Sequence, residues 1–427
     1  MNILMMSNTF IPHVGGVARS IETFTSEYRK RGHRVLVVAP MFDRVPAQEH
    51  EVIRIPAIQH FNGSDFSVAL PIPGRLSSAV QEFRPDIVHS HHPFLIGATA
   101  LRIAHSHELP LVFTHHTKYE DYTHYVPGNS QAMKRFVIRL TTNYANLCDQ
   151  VFAPSESIAG LIRERGVQAP IAVVPTGVSL TRFSAGNGSQ FRRSVGIPDD
   201  AFVVGHLGRL AKEKNLEFLA KAVAIFIGET KSARKSCFLL IGQGPMKVVI
   251  QEIFSQHACS DLLYTAGILD SSEVASAYRA MDVFAFTSKS ETQGMVLTEA
   301  MASDVPIVAL DAPGVREVVR DRCNGRLLDV EGIDTFCSAL RWIADLSAGE
   351  RTSVAQEVRN TALEFSMERV TDRALALYQQ VREKSLNHRS KEYHSWTGAM
   401  NVIGSELIRL RGIAGAVGAA LRNDSEV

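Results

Sequence analysis

Three observations predict an α/β fold of two doubly wound, mostly parallel sheets. Short β-branched runs alternate with longer amphipathic segments, the alternation breaks and restarts near residue 178, and 427 residues suffice for two or three domains that each bury a core. Strands buried on both faces read as continuous apolar runs and need helical crossovers, so each set of runs implies a parallel sheet.

In the first set, strands are expected at 2–6, 35–38, 87–89, 111–114, 151–153 and 171–174, with helices at 17–31, 95–107 and 155–165. The opening Met1-Asn2-Ile3-Leu4-Met5-Met6 lacks the basic flank and the length of a secretion signal, and reads as a buried first strand. Pro175-Thr176-Gly177-Val178 and the polar stretch 184–194 mark the expected hinge, because Pro and Gly punctuate and a Gly/Asn/Ser composition packs poorly. The second set places strands at 203–207, 238–241, 262–266, 283–287 and 307–310, and helices at 215–229, 272–280 and 294–302. The predicted division is 1–178, 179–365, a closing helix at 366–384 and a tail at 385–427. In that tail Ile403, Leu407, Leu410, Ala414, Val417 and Leu421 recur at helical spacing across 402–421, suiting a docking or membrane-surface helix. Two such domains set face to face leave a cleft at the carboxyl ends of their strands.

Composition narrows the partner. Forty-five Lys and Arg against 44 Asp and Glu leave a charge of +1, without the basic excess of a nucleic-acid binder. The balance is uneven: residues 1–185 hold 17 Lys or Arg against 14 Asp or Glu, and 12 of the 16 histidines precede residue 125. Five scattered cysteines without a Cys-x-x-Cys pair suit free thiols in a reducing, cytoplasmic setting. No apolar run is long enough to span a bilayer, since even 402–421 is interrupted by Glu406, Arg409 and Arg411.

The strongest motif is Ser290-Glu291-Thr292-Gln293-Gly294-Met295-Val296-Leu297-Thr298-Glu299, between a predicted strand and a predicted helix. Gly294 permits close backbone approach, and the opening amides of Met295 and Val296 suit a phosphate. A carboxylate at Glu299 accepts two hydroxyls, as from a ribose, while Glu291 on the loop reaches a different polyol. Gly208-Arg209-Leu210-Ala211-Lys212-Glu213-Lys214-Asn215 is a second phosphate-type element: Arg209 offers a planar fork and Lys214 a point charge. Gly242 and Gly244, in Gly-Gln-Gly-Pro after a strand, say by themselves only that the backbone comes close to something, and are placed among the donor-binding residues.

These motifs, in this order, resemble the GT-B retaining glycosyltransferases of family 4, whose signature is the Glu-x7-Glu pair represented here by Glu291 and Glu299. The opening Phe10-Ile11-Pro12-His13-Val14-Gly15-Gly16 resembles the family's glycine loop, and Val174-Pro175-Thr176-Gly177 its linker, with Thr176 in place of the usual Asn. The resemblance implies two Rossmann-like domains facing a central cleft. It implies that Arg209 and Lys214 bind the donor diphosphate, Glu299 the ribose, and Glu291 with the Gly294, Met295 and Val296 backbone the transferred sugar and its phosphate. It further implies that the Ile268 backbone meets the base, that Gly15 and Gly16 approach the phosphates, and that His116, or its neighbour His115, lies near the sugar. No Asp-x-Asp pair is present, so neither metal nor cofactor is expected, and the family reading is front-face attack with retention.

The acceptor is read from Thr114-His115-His116-Thr117-Lys118-Tyr119-Glu120-Asp121-Tyr122-Thr123-His124-Tyr125, which does not look like core. It resembles the diacylglycerol glucosyltransferases, which implies UDP-glucose as donor, a lipid acceptor engaged by Tyr119, Glu120, Asp121 and His124, and peripheral attachment to the inner face of the membrane. Lys134, Arg135 and Arg139 alternate with apolar residues on the next predicted helix and suit an anionic lipid surface. The alternatives are a soluble or polyprenyl-linked sugar acceptor, a GDP-mannose-dependent mannosyltransferase, a nucleotide-sugar epimerase, and a nucleotide-sugar binding protein without catalysis.

Overall fold

The structure, a computed structural model, describes residues 1–13, 15–42, 45–46, 49–58, 68–69, 73–121, 130–229 and 235–389. His124 and the amphipathic stretch 402–421 lie outside them. The chain forms two compact units: one comprises Met1–Thr176 with the chain from Val370 onward, the other Gly177–Arg369.

In the first unit the elements run β1 (Asn2–Met6), α1 (Gly16–Lys30), β2 (Arg34–Pro40), β3 (Val52–Ile55), β4 (Ala57–Ile58), β5 (Val68–Ala69), α2 (Pro73–Phe83), β6 (Ile87–Ser90), α3 (Ile96–Ser106), β7 (Leu111–Thr114), α4 (Gln131–Ala145), β8 (Gln150–Ala153), α5 (Glu156–Glu164) and β9 (Ile171–Val173). Seven strands pair in parallel in the order β3-β2-β1-β6-β7-β8-β9, and β4 with β5 makes a separate antiparallel pair. The apolar runs of β1, β2, β6 and β7 are buried because helices cover both faces. On α1, Ala18, Ile21, Phe24, Thr25 and Tyr28 recur at helical spacing and are all buried, while Arg29 and Lys30 end the helix where its dipole favours cations. The helices α4 and α5 start at Ser130 and Ser155, whose hydroxyls accept from the amides three residues on.

The second unit continues with α6 (Leu180–Ser184), α7 (Gly188–Val195), β10 (Phe202–Leu207), α8 (Leu216–Glu229), β11 (Ser236–Ile241), α9 (Met246–Gln256), β12 (Leu263–Gly267), α10 (Val274–Arg279), β13 (Val283–Phe286), α11 (Met295–Ala302), β14 (Ile307–Leu310), β15 (Gly325–Leu328), α12 (Ile333–Ala344), α13 (Ala348–Glu364) and the first three residues of α14 (Met367–Arg389). Its six strands pair in parallel as β12-β11-β10-β13-β14-β15. Each sheet therefore reverses winding once, between β1 and β6 in the first and between β10 and β13 in the second, and ligands in open α/β sheets bind at such switch points.

Two expectations need correction. The stretch 184–194 is not a loose hinge: Asn187 caps α7, Phe191 is buried, and α7 lies so close to α10 that a Cβ on Gly188 would sit 2.1 Å from the Arg279 carbonyl oxygen. Its glycines give close helix packing, and Arg192 reaches inward to Asp282 at 2.9 Å. The closing helix is also longer than expected. From Val370 on it belongs with the first unit, where the buried Tyr378 stacks on Phe152 and meets His89. All five cysteines are free, with only Cys323 partly exposed, and among the described residues no helix is long and apolar enough to cross a membrane.

Candidate functional site

The second unit's switch point gathers the strongest motifs. The loop after β10 carries Arg209 and Lys214, and the loop after β13 carries Glu291 and runs into α11. Across these loops Lys214 Nζ donates to Glu291 Oε1 at 2.5 Å, with the two side chains 22% and 17% exposed. Thr287, at the end of β13, donates its hydroxyl to the carbonyls of Lys214 (3.0 Å) and Asn215 (3.1 Å), fixing the lysine's turn to the neighbouring strand. Arg209 pairs with Glu213 at 2.7 Å and stays 57% exposed. Gly294 takes φ +71 at the head of α11, where the amides of Met295 and Val296 have no carbonyl one turn before them. Glu299 is 5% exposed, and the Tyr278 hydroxyl of α10 donates to its Oε2 at 3.0 Å.

Gly242 and Gly244 bring their backbone against the neighbouring loop. Gly242 takes φ +129, and a Cβ there would fall 1.9 Å from the Gly208 carbonyl oxygen; on Gly244, at φ +152, it would fall 2.3 Å from that of Leu210. The close approach is to the Arg209 loop itself. Backbone bonds from Gly208 N to Ile241 O, Leu210 N to Gln243 O and Met246 N to Leu210 O fasten the two loops. Gly242 N also reaches Gly267 O at 2.7 Å, which ties in the loop bearing Ile268, itself 73% exposed. Gly314, at φ +77, backs Gln293 in the same way.

The first unit's switch point holds histidines. Gly15 and Gly16 open α1 after β1 and are exposed. His89, His91 and His92 stand at the end of β6, and His115 and His116 follow β7. His91 Nδ1 lies 2.9 Å from His116 Nε2 with the rings stacked, while His89 bridges Tyr378 and Thr114. Burial holds all five imidazoles neutral: it takes His89 and His92 down to about 3 and His115 to about 4, and His91 and His116, pressed further by neighbouring histidines, well below their ordinary value. Sequence reasoning counted His89, His91 and His92 but gave them no role. The available signal was their position, a His-Ser-His-His run leaving the strand beside the switch. Tyr278 was missed for want of any local signal.

The aromatic loop is partly core, against expectation. His115 is buried, and Tyr119 packs its ring edge-on to Phe94 (5.2 Å) and His115 (5.8 Å) with its hydroxyl buried and unpartnered. Glu120 pairs with Arg165 at 2.5 Å, and Asp121 with Lys118 at 3.0 Å. Burying rings and neutralising acids holds the segment against α5, so Tyr119 and Glu120 point inward. On α4, Lys134 and Arg135 are half-buried, Arg139 is exposed, and Met133, Phe136, Val137 and Leu140 are all only half-buried.

Comparison with known proteins gives this geometry its context. Residues 14–182 match the family described as Glycosyltransferase Family 4, and residues 188–361 match Glycosyl transferases group 1. The chain is 30% identical over 342 residues to the alpha-monoglucosyldiacylglycerol synthase of Acholeplasma laidlawii, covering 76% of this chain and 84% of that protein. It is also 30% identical over 389 residues to the GDP-mannose-dependent alpha-mannosyltransferase of Mycolicibacterium smegmatis, covering 89% and 98%. Anabaena HepE, solved with UDP and glucose, superposes with a TM-score of 0.69 at 20% identity, over 89% of this chain and 100% of that one. Two α/β units with parallel sheets, the motifs at their switch points and these matches identify the chain as a glycosyltransferase of family 4 with the GT-B fold.

Proposed function

We propose that this enzyme transfers glucose from UDP-glucose to diacylglycerol at a membrane surface, with retention of configuration and without a metal. The observation that carries the donor half is the Lys214–Glu291 pair at 2.5 Å between the two switch-point loops. A cation and a carboxylate held together there suit a diphosphate and the hydroxyls of the sugar attached to it. Arg209, Lys214 and the opening amides of α11 take the negative charge that develops on the leaving diphosphate, a role preorganised donors perform without reorganising during reaction. Glu299, steadied by Tyr278, accepts the ribose hydroxyls, and the Ile268 backbone meets the base. In the retaining path the leaving phosphate oxygen takes the acceptor hydroxyl's proton as the new bond forms on the same face.

Glucose and a diacylglycerol acceptor are supported by the similarity to the Acholeplasma synthase. The half-exposed apolar residues of α4, interleaved with Lys134, Arg135 and Arg139, add support for a lipid surface, where each cation near anionic headgroups contributes on the order of 1 kcal/mol. Mannosyl transfer from GDP-mannose is the second reading, favoured by the Mycolicibacterium relative. The test is Lys214→Ala and Glu291→Ala: each should reduce transfer about 10²- to 10³-fold with unfolding unchanged, and full activity in both would refute the site.

A further inference from the structure

His206 belongs to none of the motifs, yet it is the penultimate residue of β10, the strand that delivers Gly208, Arg209 and Lys214. Its side chain is 1% exposed and lies flat on Phe284, with ring centroids 6.0 Å apart at 7°. Nδ1 is 3.1 Å from the carbonyl oxygen of Ala285 on β13. A carbonyl only accepts, so Nδ1 carries the hydrogen and Nε2 of the neutral ring is a bare acceptor. That Nε2 is buried without a hydrogen-bond partner, a costly state for a polar atom. It borders the phosphate loop: a Cβ on Gly208 would lie 3.5 Å from it. Burial lowers the ring to about 4, the Ala285 contact opposes that, and the charges of Lys214 and Glu291 are near enough to act on it in opposite senses, so the ring is neutral at physiological pH.

We propose that His206 is a positioning residue of the donor site, whose Nε2 accepts a hydrogen bond from the Gly208–Lys214 loop when diphosphate is bound. Lys214 is paired with Glu291. When phosphate oxygens draw the lysine and its loop toward them, a donor of the loop turns over the waiting Nε2 and the loop is held in its bound form. The inference rests on the reading of this loop as the donor-diphosphate site.

The test uses the asymmetry of the imidazole. His206→Asn retains a donor near Nδ1 for Ala285 and loses the Nε2 acceptor; His206→Gln places an amide oxygen near Nε2 and loses the tether; His206→Phe keeps only the ring. Calorimetric titration with UDP and with GDP gives Kd, transfer assays give donor KM and kcat, and thermal unfolding reports on the fold. The expected result is a nucleoside-diphosphate Kd and a donor KM raised about tenfold in Asn and Phe with kcat within threefold, and recovery to within about threefold of wild type in Gln. Wild-type Kd in a stably folded His206→Phe overturns the proposal, as does a Gln variant as impaired as Asn, because the acceptor then plays no part. Lys214→Ala runs alongside. If it binds both diphosphates as the wild type does, the donor-site reading itself fails; if it loses binding while the His206 variants do not, only the role of His206 fails.

Discussion

Gly242→Ala puts the account of the glycine turn at risk. The structure places the new methyl 1.9 Å from the Gly208 carbonyl oxygen, at least about 1 Å inside the shortest contact a Cβ makes, and does so at φ +129, where L side chains rarely sit. The conformational penalty is roughly 1–3 kcal/mol. The overlap with backbone has no flexible side chain to relieve it, so the Arg209 loop must move by about 1 Å. A misplacement of that size at a charge-stabilising site costs about 10²-fold in kcat/KM. Gly196→Ala is the control: that residue has φ +81 at the end of α7 with nothing within 4 Å of its Cβ, so it carries the left-handed penalty of roughly 1–2 kcal/mol alone. Both variants are compared by thermal unfolding and by initial transfer rates over a range of donor concentrations. A Gly242→Ala enzyme within twofold of wild type, and no less stable than Gly196→Ala, would refute the reasoning that this glycine exists to seat the phosphate loop.

Vesicles containing anionic lipid should co-sediment the enzyme, and replacing Lys134, Arg135 and Arg139 together by Ser should reduce the bound fraction severalfold at low salt; equal sedimentation would remove α4 as the contact. Acid should destabilise the first unit. His89 and His92 titrate near 3 when folded and near 6.5 when unfolded, so below pH 6.5 the unfolded chain takes up protons that the folded chain refuses. The stability they confer is complete above pH 6.5 and falls toward pH 3, by roughly 3 kcal/mol each at about pH 4. Protonating His92 also removes the Nδ1 acceptor used by the Asn8 amide at 3.1 Å. Hydrogen exchange of the β6 amides from pH 7 to 4.5 checks this, and a pH-independent opening free energy would contradict it.

Much of the architecture was legible because strands buried on both faces announce themselves: β1, β7 and β14 fall where their apolar runs do. Two of the edge strands, β3 and β15, were not. In β3, Val-Ile-Arg-Ile includes Arg54, which pairs with Glu49, and in β15, Gly-Arg-Leu-Leu includes Arg326, which pairs with Asp321; one-sided burial leaves too little apolar pattern to see. The helix α7 was hidden for a similar reason, since Phe191 is its one buried residue. Lys214 and Glu291 were readable as separate motifs, but their contact joins residues 77 apart, which no local spacing encodes. The bond between His89 and Tyr378, 289 residues apart, is the extreme case. Histidine at strand ends was visible; that the rings are neutral and packed against one another follows only from packing.

The central claim, glucosyl transfer to a lipid, is tested most directly by supplying radiolabelled UDP-glucose and GDP-mannose in parallel, with vesicles containing diacylglycerol, and identifying the labelled product and its anomeric configuration. The account predicts an α-linked glucosyl diacylglycerol formed from UDP-glucose, undiminished by EDTA. Label that enters no lipid, that enters lipid only from GDP-mannose, or that appears as a free sugar isomer without an acceptor would contradict it.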